Sequence, residues 1–217
     1  YHEHRKFQLP KLFPSKWVYL TSMGDGFEKI YKDLAKYLDS TGAQLAFNPG
    51  TFQLRKGAKF NKLMLERTAV LSLNKEEAQS WVGDYEDPEE LCKRLMKLGP
   101  KSVVLTDGRK GAYSYSVGGY YYIPEFPGPR LEATGAGDAF TTAYVAALAY
   151  DLGHQEALRW GPVNAGSVVK SIGPQEGLLT RKQLEGKLSR MKKYQPVALT
   201  DEKAKSKVAA MVGRKKD

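Results

Sequence analysis

Short apolar runs alternate with amphipathic stretches along most of this chain, and the alternation sets its class. Trp17-Val18-Tyr19-Leu20 reads as a buried strand, followed by a turn at Gly24-Asp25-Gly26. Phe27, Ile30, Tyr31, Leu34 and Leu38 then recur at three- and four-residue spacing, one face of a helix that Thr41-Gly42 ends. Gln44-Leu45-Ala46-Phe47 is the next strand, stopped by Asn48-Pro49-Gly50. A strand, helix and strand so spaced predict a right-handed crossover in a parallel sheet. The alternation goes on: a helix over 54–67 with Leu63 and Leu65 facing inward, a strand over 69–73, a helix over 75–82, and a helix marked by Leu91, Leu95 and Leu98 and closed by Gly99-Pro100. Val103-Val104-Leu105 is continuously apolar, so the strand over 102–106 belongs at the centre of the sheet. A hairpin follows, 112–117 against 120–123 around Gly118-Gly119. The remainder is mainly helical: 139–152, 154–169, a helix opened by the capping box Thr180-x-x-Gln183, and a basic helix over 201–212 with Gly213 past its end. The expected fold class is α/β, a doubly wound, mostly parallel sheet with helices on both faces.

Composition narrows the picture. The 217 residues, 41% hydrophobic and 11% aromatic, suit one domain over 1–217 with a real core. Within it, 1–15 reads as an irregular lead-in and 198–217 as a basic helix and tail. No run approaches a membrane-spanning length, and no signal-peptide pattern opens the chain, so no membrane partner and a cytoplasmic location are expected. Cys92 is the one cysteine and sits between Leu91 and Leu95, which reads as a buried thiol. The net charge of +10 attracts anions, but it is spread over helix faces and the terminal Lys203, Lys205, Lys207, Arg214, Lys215 and Lys216. No interleaved aromatic and basic stripe accompanies it, so no nucleic-acid partner is expected. His2 and His4 flank Glu3, a metal pair without further ligands.

The chemistry centres on Glu132-Ala133-Thr134-Gly135-Ala136-Gly137-Asp138-Ala139-Phe140. A Gly-Ala-Gly turn feeding a helix points unpaired N–H groups out of the helix end, and small residues let an anion approach them. Asp138 is the wrong residue merely to hold a phosphate and the right one to take a proton from an attacking hydroxyl. Ordinary dipole complementation at a first helical turn accounts for it equally well at this level. Three more clusters fall at strand ends, where ligands of such sheets sit. Asn74-Lys75-Glu76-Glu77 is a capping box on residue types alone. Thr106-Asp107-Gly108-Arg109-Lys110-Gly111 is a turn, in which Arg109 and Lys110 are either solvated or aimed at phosphates. Trp160-Gly161-Pro162-Val163-Asn164-Ala165-Gly166 opens a helix with small residues for close packing.

Ala-Thr-Gly-Ala-Gly-Asp-Ala-Phe closely resembles the signature of the PfkB-type, ribokinase-like carbohydrate and nucleoside kinases, and the resemblance runs from about Lys16 to Leu179. It implies ATP and Mg²⁺, with Asp138 as base and Gly135, Ala136 and Gly137 as the anion hole. It implies a role for Glu77 in holding Mg²⁺ through water and places Asn74 near the phosphates. The ATP site would be lined by Thr106, Asp107, Gly108, Arg109, Lys110 and Gly111, with Asn164 beside the adenine. The family often binds a monovalent cation, K⁺, through an Asp-x-Thr before the anion hole. Here Glu132 replaces that Asp and Thr134 is retained, and the other half of the cation site would lie near Ser171-Ile172-Gly173-Pro174. Members carry preceding strands and a small β-lid that reads the acceptor. These are absent from this chain, which is therefore expected to be a C-terminal portion of such a kinase. A sugar is the leading acceptor. A nucleoside, or a remnant that binds nucleotide without turnover, is the alternative, and a homodimer stays open because lids often mediate it.

Overall fold

The computed structural model describes residues 14–173 and 175–213. The lead-in through residue 13, the histidine pair, Pro174 and the basic residues from Arg214 on lie outside the described residues. The strands run in chain order across one mixed sheet, β1-β2-β3-β4-β5-β6-β7. The chain divides into two compact units, Tyr1–Val103 and Val104–Asp217.

In the first unit, β1 (Trp17–Leu20), β2 (Gln44–Phe47) and β3 (Thr68–Asn74) pair in parallel, Trp17 opposite Gln44 and Phe47 opposite Leu71. Right-handed crossovers that step the same way each time place their helices over one face. α1 (Glu28–Thr41) is the first crossover and buries Ile30, Tyr31, Leu34, Ala35 and Leu38. It stops at Gly42, whose φ of 70° is the left-handed cap that closes a helix. The single helix expected over 54–67 is instead two: α2 (Thr51–Phe60) and α3 (Lys62–Leu65). Gly57 leaves helical geometry at φ 78°, ψ 168°, and the buried Asn61 occupies the break. Its amide donates to Gln53 O and Gly57 O at 2.7 and 2.8 Å, and its Oδ1 accepts the Tyr31 hydroxyl at 2.7 Å. The side chain thus supplies a donor to Gln53 O at the break and a second bond to Gly57 O, which also accepts the Asn61 backbone N–H at 3.3 Å. The break rotates the inward face, so Met64 and Leu65 are buried and Leu63 is only half-buried. α4 (Lys75–Val82) and α5 (Pro88–Met96) follow. α5 starts on Asp87, whose side chain accepts from Glu89 N at 3.0 Å, and it buries Leu91, Cys92 and Leu95; Leu98 falls past its end. Burial pushes the Cys92 thiol far above its ordinary range, so it is inert packing.

The second unit begins in β4 (Ser102–Thr106) and continues into β5 (Ala112–Ser116) and β6 (Gly119–Ile123), an antiparallel hairpin. Ser116 pairs with Gly119, so the turn is Val117-Gly118, one residue earlier than the glycine pair suggests. β7 (Val197–Ala198), absent from the sequence reading, adds to β6 through Tyr121 and Tyr122. α6 (Ala136–Ala149) and α7 (Gly153–Val168) pack side by side. α8 (Arg181–Arg190) has the expected capping box, Thr180 N and Gln183 Oε1 at 2.9 Å. α9 (Glu202–Val212) is capped by Asp201, which accepts from Ala204 N at 2.8 Å. Among the described residues no helix is long and apolar enough to cross a membrane.

Candidate active site

Helix α6 begins at Ala136, three residues ahead of its apolar face, with Gly135 as its N-cap at φ 80°, ψ −4°. That left-handed geometry is what a glycine supplies there. The N–H groups of Ala136, Gly137 and Asp138 fall in the first turn, where no helical acceptor precedes them. Ala136 N turns back onto Ala133 O at 3.1 Å, so it tightens the turn and is already engaged. Gly137 is different. Its φ is ordinary, and a Cβ added there meets nothing within 4 Å. Neither backbone conformation nor internal packing asks for glycine at 137, and what its bare Cα leaves open is the space at the helix tip. Asp138 is exposed beside it, while Ala139 and Phe140 turn into the core.

The turn is held from below by α7. Gly161 lies so close to the Phe140 ring that a Cβ there falls 2.7 Å from its Cζ. Asn164, 4% exposed, donates from Nδ2 to Ala139 O at 2.8 Å and accepts Leu179 N–H on Oδ1 at 3.0 Å. The amide expected beside an adenine is therefore bonded at both ends within its own unit.

The segment before the turn is fastened too. Leu131 N and Glu132 N donate to Val169 O at 2.7 and 3.3 Å, and Gly173 N donates to Glu132 Oε2 at 3.0 Å. The Thr134 hydroxyl first, and the Gly173 N–H second, hold the Glu132 carboxyl below its ordinary range. Glu132, Thr134 and the 171–173 turn, the two halves of the expected cation site, are thus brought together. The carboxylate there is already met by two donors.

The loop after β4 is a 3-10 turn over Gly108–Lys110. Asp107 N bonds Gly111 O at 2.9 Å and Lys110 N bonds Asp107 O at 2.8 Å. Gly111 stands at φ 106°, and a Cβ on it would collide with Ile123 O, so no other residue fits. The Tyr122 hydroxyl, pushed up to about 12 by burial and then by Asp107, donates to Lys110 O at 2.7 Å. The loop is rigid by construction. Thr106, Asp107 and Lys110 are half-buried, and Gly108 and Arg109 are exposed on its outer side.

In the first unit, Asn74 and Glu77 form both bonds of the capping box: Glu77 N to Asn74 Oδ1 at 2.8 Å and Asn74 N to Glu77 Oε2 at 2.9 Å. Among the described residues no three His, Cys, Asp or Glu side chains cluster for a metal. A single hard carboxylate such as Glu77 still suits Mg²⁺, which keeps most of its waters and shares the rest with phosphates.

The sequence reading missed a polar chain behind α6. Ser114 Oγ and Tyr144 OH are 2.9 Å apart, and Tyr144 OH lies 2.7 Å from His154 Nδ1. Tyr144 hid inside an apolar helical stripe. The signal that could have found it is its hydroxyl, which a buried tyrosine must satisfy.

The profile of the pfkB family carbohydrate kinases matches residues 6–181. The ribokinase of Bacillus subtilis (strain 168) is 30% identical over 163 residues, 75% of this chain and 52% of that protein. Arabidopsis thaliana ribokinase complexed with ribose and ATP superposes with a TM-score of 0.68 at 23% identity, over 79% of this chain and 55% of the other. The nucleoside kinase of Burkholderia thailandensis in complex with inosine gives 0.69 at 21% identity, over 86% and 59%. This chain spans about half the length of the B. subtilis relative. The solved structures share its α/β fold, a mixed, mostly parallel sheet with helices.

Proposed function

The chain belongs to the pfkB family of carbohydrate kinases, and from that premise we propose that it is the phosphoryl-transferring part of an ATP-dependent kinase acting on a sugar hydroxyl. The observation that carries the reading is the tip of α6, where a bare Gly137 faces open space beside an exposed Asp138. Asp138 takes the proton of the acceptor hydroxyl as its oxygen attacks the γ-phosphorus. The bond from that phosphorus to the β–γ bridging oxygen breaks, and ADP departs. The first-turn N–H groups at Gly137 and Asp138 face the charge that develops on the transferring group. Gly135 and Ala136 shape the turn that aims them. The Thr106–Gly111 loop offers its backbone to the nucleotide, and Arg109 adds positive charge on its exposed side. From the first unit, the reading assigns Asn74 and Glu77 to the Mg²⁺–nucleotide, with Glu77 holding the ion's waters. Mg²⁺, when bound, neutralises phosphate charge.

Relatives named for sugar and cyclitol kinases, among them ribokinase and the inositol 3-kinase of Zea mays, support a sugar over a nucleoside. The test is ADP release by the full-length protein with Mg²⁺, ATP and a panel of pentoses, hexoses, inositols and nucleosides. Turnover with one sugar that falls in Asp138→Asn supports the proposal. Turnover with nucleosides alone moves the acceptor class, and ATP binding without turnover on any acceptor leaves the nucleotide-binding remnant in its place.

A further inference from the structure

The amide of Asn164 reaches the carbonyl next to the proposed base. Burying an amide carries a desolvation penalty unless both ends are bonded, and an apolar residue of similar size would fill the same space without it. Asn164 is 4% exposed on α7, among Trp160, Gly161, Val163 and Val168, all buried. Its Nδ2 donates to Ala139 O and its Oδ1 accepts from Leu179 N. Ala139 directly follows Asp138, and its own N–H bonds Gly135 O at 2.9 Å, so one residue links the cap, the base and Asn164. One helical step on, Phe140 sits against Gly161, three residues before Asn164 on the same face of α7. Leu179 lies just ahead of the Thr180 cap of α8, and Gly177 at φ 83° packs onto Ser167 O, so that stretch of chain is drawn to α7 by the same side chain. The first turn of α6, the middle of α7 and the chain entering α8, already packed together, are tied at one amide.

We propose that Asn164 is a positioning residue: it fixes the first turn of α6, and with it the direction of Asp138 and of the Gly137 N–H, rather than meeting the nucleotide. The inference rests on the kinase reading for its catalytic consequence and on geometry alone for the tether. The two bonds can be cut separately. Asn164→Ala removes both. Asn164→Asp in its ionised form keeps an acceptor for Leu179 N–H and loses the donor to Ala139 O.

The experiment measures backbone amide exchange in the 217-residue chain, and nucleotide affinity and turnover in the full-length protein, for both variants. Taking the side-chain donor from Ala139 O, which then keeps only its helical bond from Ala143 N–H, is expected to speed exchange at Ala139–Ala143 roughly 2- to 10-fold in both variants. Protection across β5 and β6 stays. Leu179 loses protection in Asn164→Ala and keeps it in Asn164→Asp. Turnover falls in both, with the dissociation constant for ATP within about threefold of the parent. Unchanged exchange in the α6 turn overturns the tether. Faster exchange with undiminished turnover overturns its catalytic role, and a large loss of ATP affinity with exchange unmoved makes Asn164 a nucleotide ligand instead. If the parent protein transfers no phosphoryl group at all, the kinase reading fails, while the exchange data still decide the tether.

Discussion

Adding one methyl group at Gly137 separates stability from chemistry, because glycine there serves neither backbone nor packing. Gly137 has an ordinary φ within the first turn of α6, and a Cβ at that position has nothing within 4 Å. Replacing such a glycine by alanine stabilises a helix interior by about 0.5–1 kcal/mol, chiefly by restricting the unfolded chain, and a first-turn site takes the lower end. About 0.5 kcal/mol in a chain of this size corresponds to a Tm rise of roughly 1–2 °C. The same methyl stands where a phosphoryl oxygen must come within about 3 Å of the backbone N–H. Loss of one such donor costs about 10²- to 10³-fold in rate, some 3–4 kcal/mol of barrier. Gly137→Ala is therefore expected to melt slightly higher and to turn over at least a hundredfold slower. Thermal unfolding of the variant and ADP release by the full-length enzyme read the two effects. A higher Tm with turnover inside twofold of the parent would refute a backbone cradle at this position. A lower Tm would show that the space beside Gly137 is not open.

Other perturbations test other parts. Asp138→Asn removes the proposed base and is expected to lower turnover by about 10²- to 10⁴-fold with ATP affinity nearly unchanged; near-normal turnover takes Asp138 out of that role. Asn61→Leu takes the side-chain donor from Gln53 O, the second bond from Gly57 O and one partner from the Tyr31 hydroxyl in the first unit, and urea unfolding should show a loss of about 2 kcal/mol, whereas a loss under about 1 kcal/mol rejects the account of the α2–α3 break. Burial holds His154 below its ordinary range, so the unfolded chain takes up the proton first. Stability should therefore fall as pH drops below about 6.5, and a Tm-against-pH slope that persists in His154→Gln would assign the loss to another group. The Glu132 carboxyl is held low by Thr134 and Gly173, so its clasp is present above the ordinary carboxylate range and opens as pH falls through its folded value. The Gly173 amide resonance should report that acid step in the parent and not in Glu132→Gln.

Local rules made most elements legible. β1, β2, β4 and α4 occupy the residues their patterns mark, because an unbroken apolar run or a capped amphipathic stretch states its own ends. The failures share a different cause. The split of the 54–67 helix depends on a buried amide reaching carbonyls four and eight residues back, and an asparagine does not announce in sequence that it will be buried. β7 is two residues long and exists only because β6 presents an edge to it. Neither outcome is contained in any window of the chain that a periodicity can scan.

The candidate site divides along the same line. The turn at Gly135 and the positive φ at Gly111 are local demands of backbone geometry, and glycine spelled them out. What each polar side chain does there is long-range. Asn164 lies 25 residues from Ala139, and Glu132 lies 41 residues from Gly173. A resemblance names such residues for the ligand they approach, since ligands are what families are known by, whereas the bonds they form inside the unit say what keeps the ligand-facing turn in place. The two descriptions part company in one measurable respect. Deleting a side chain that touches the ligand weakens the binding constant. Deleting a strut speeds exchange and slows turnover while binding stays. On that criterion the proposal puts Gly137 and Asp138 on the reacting surface and Asn164 in the frame that holds it.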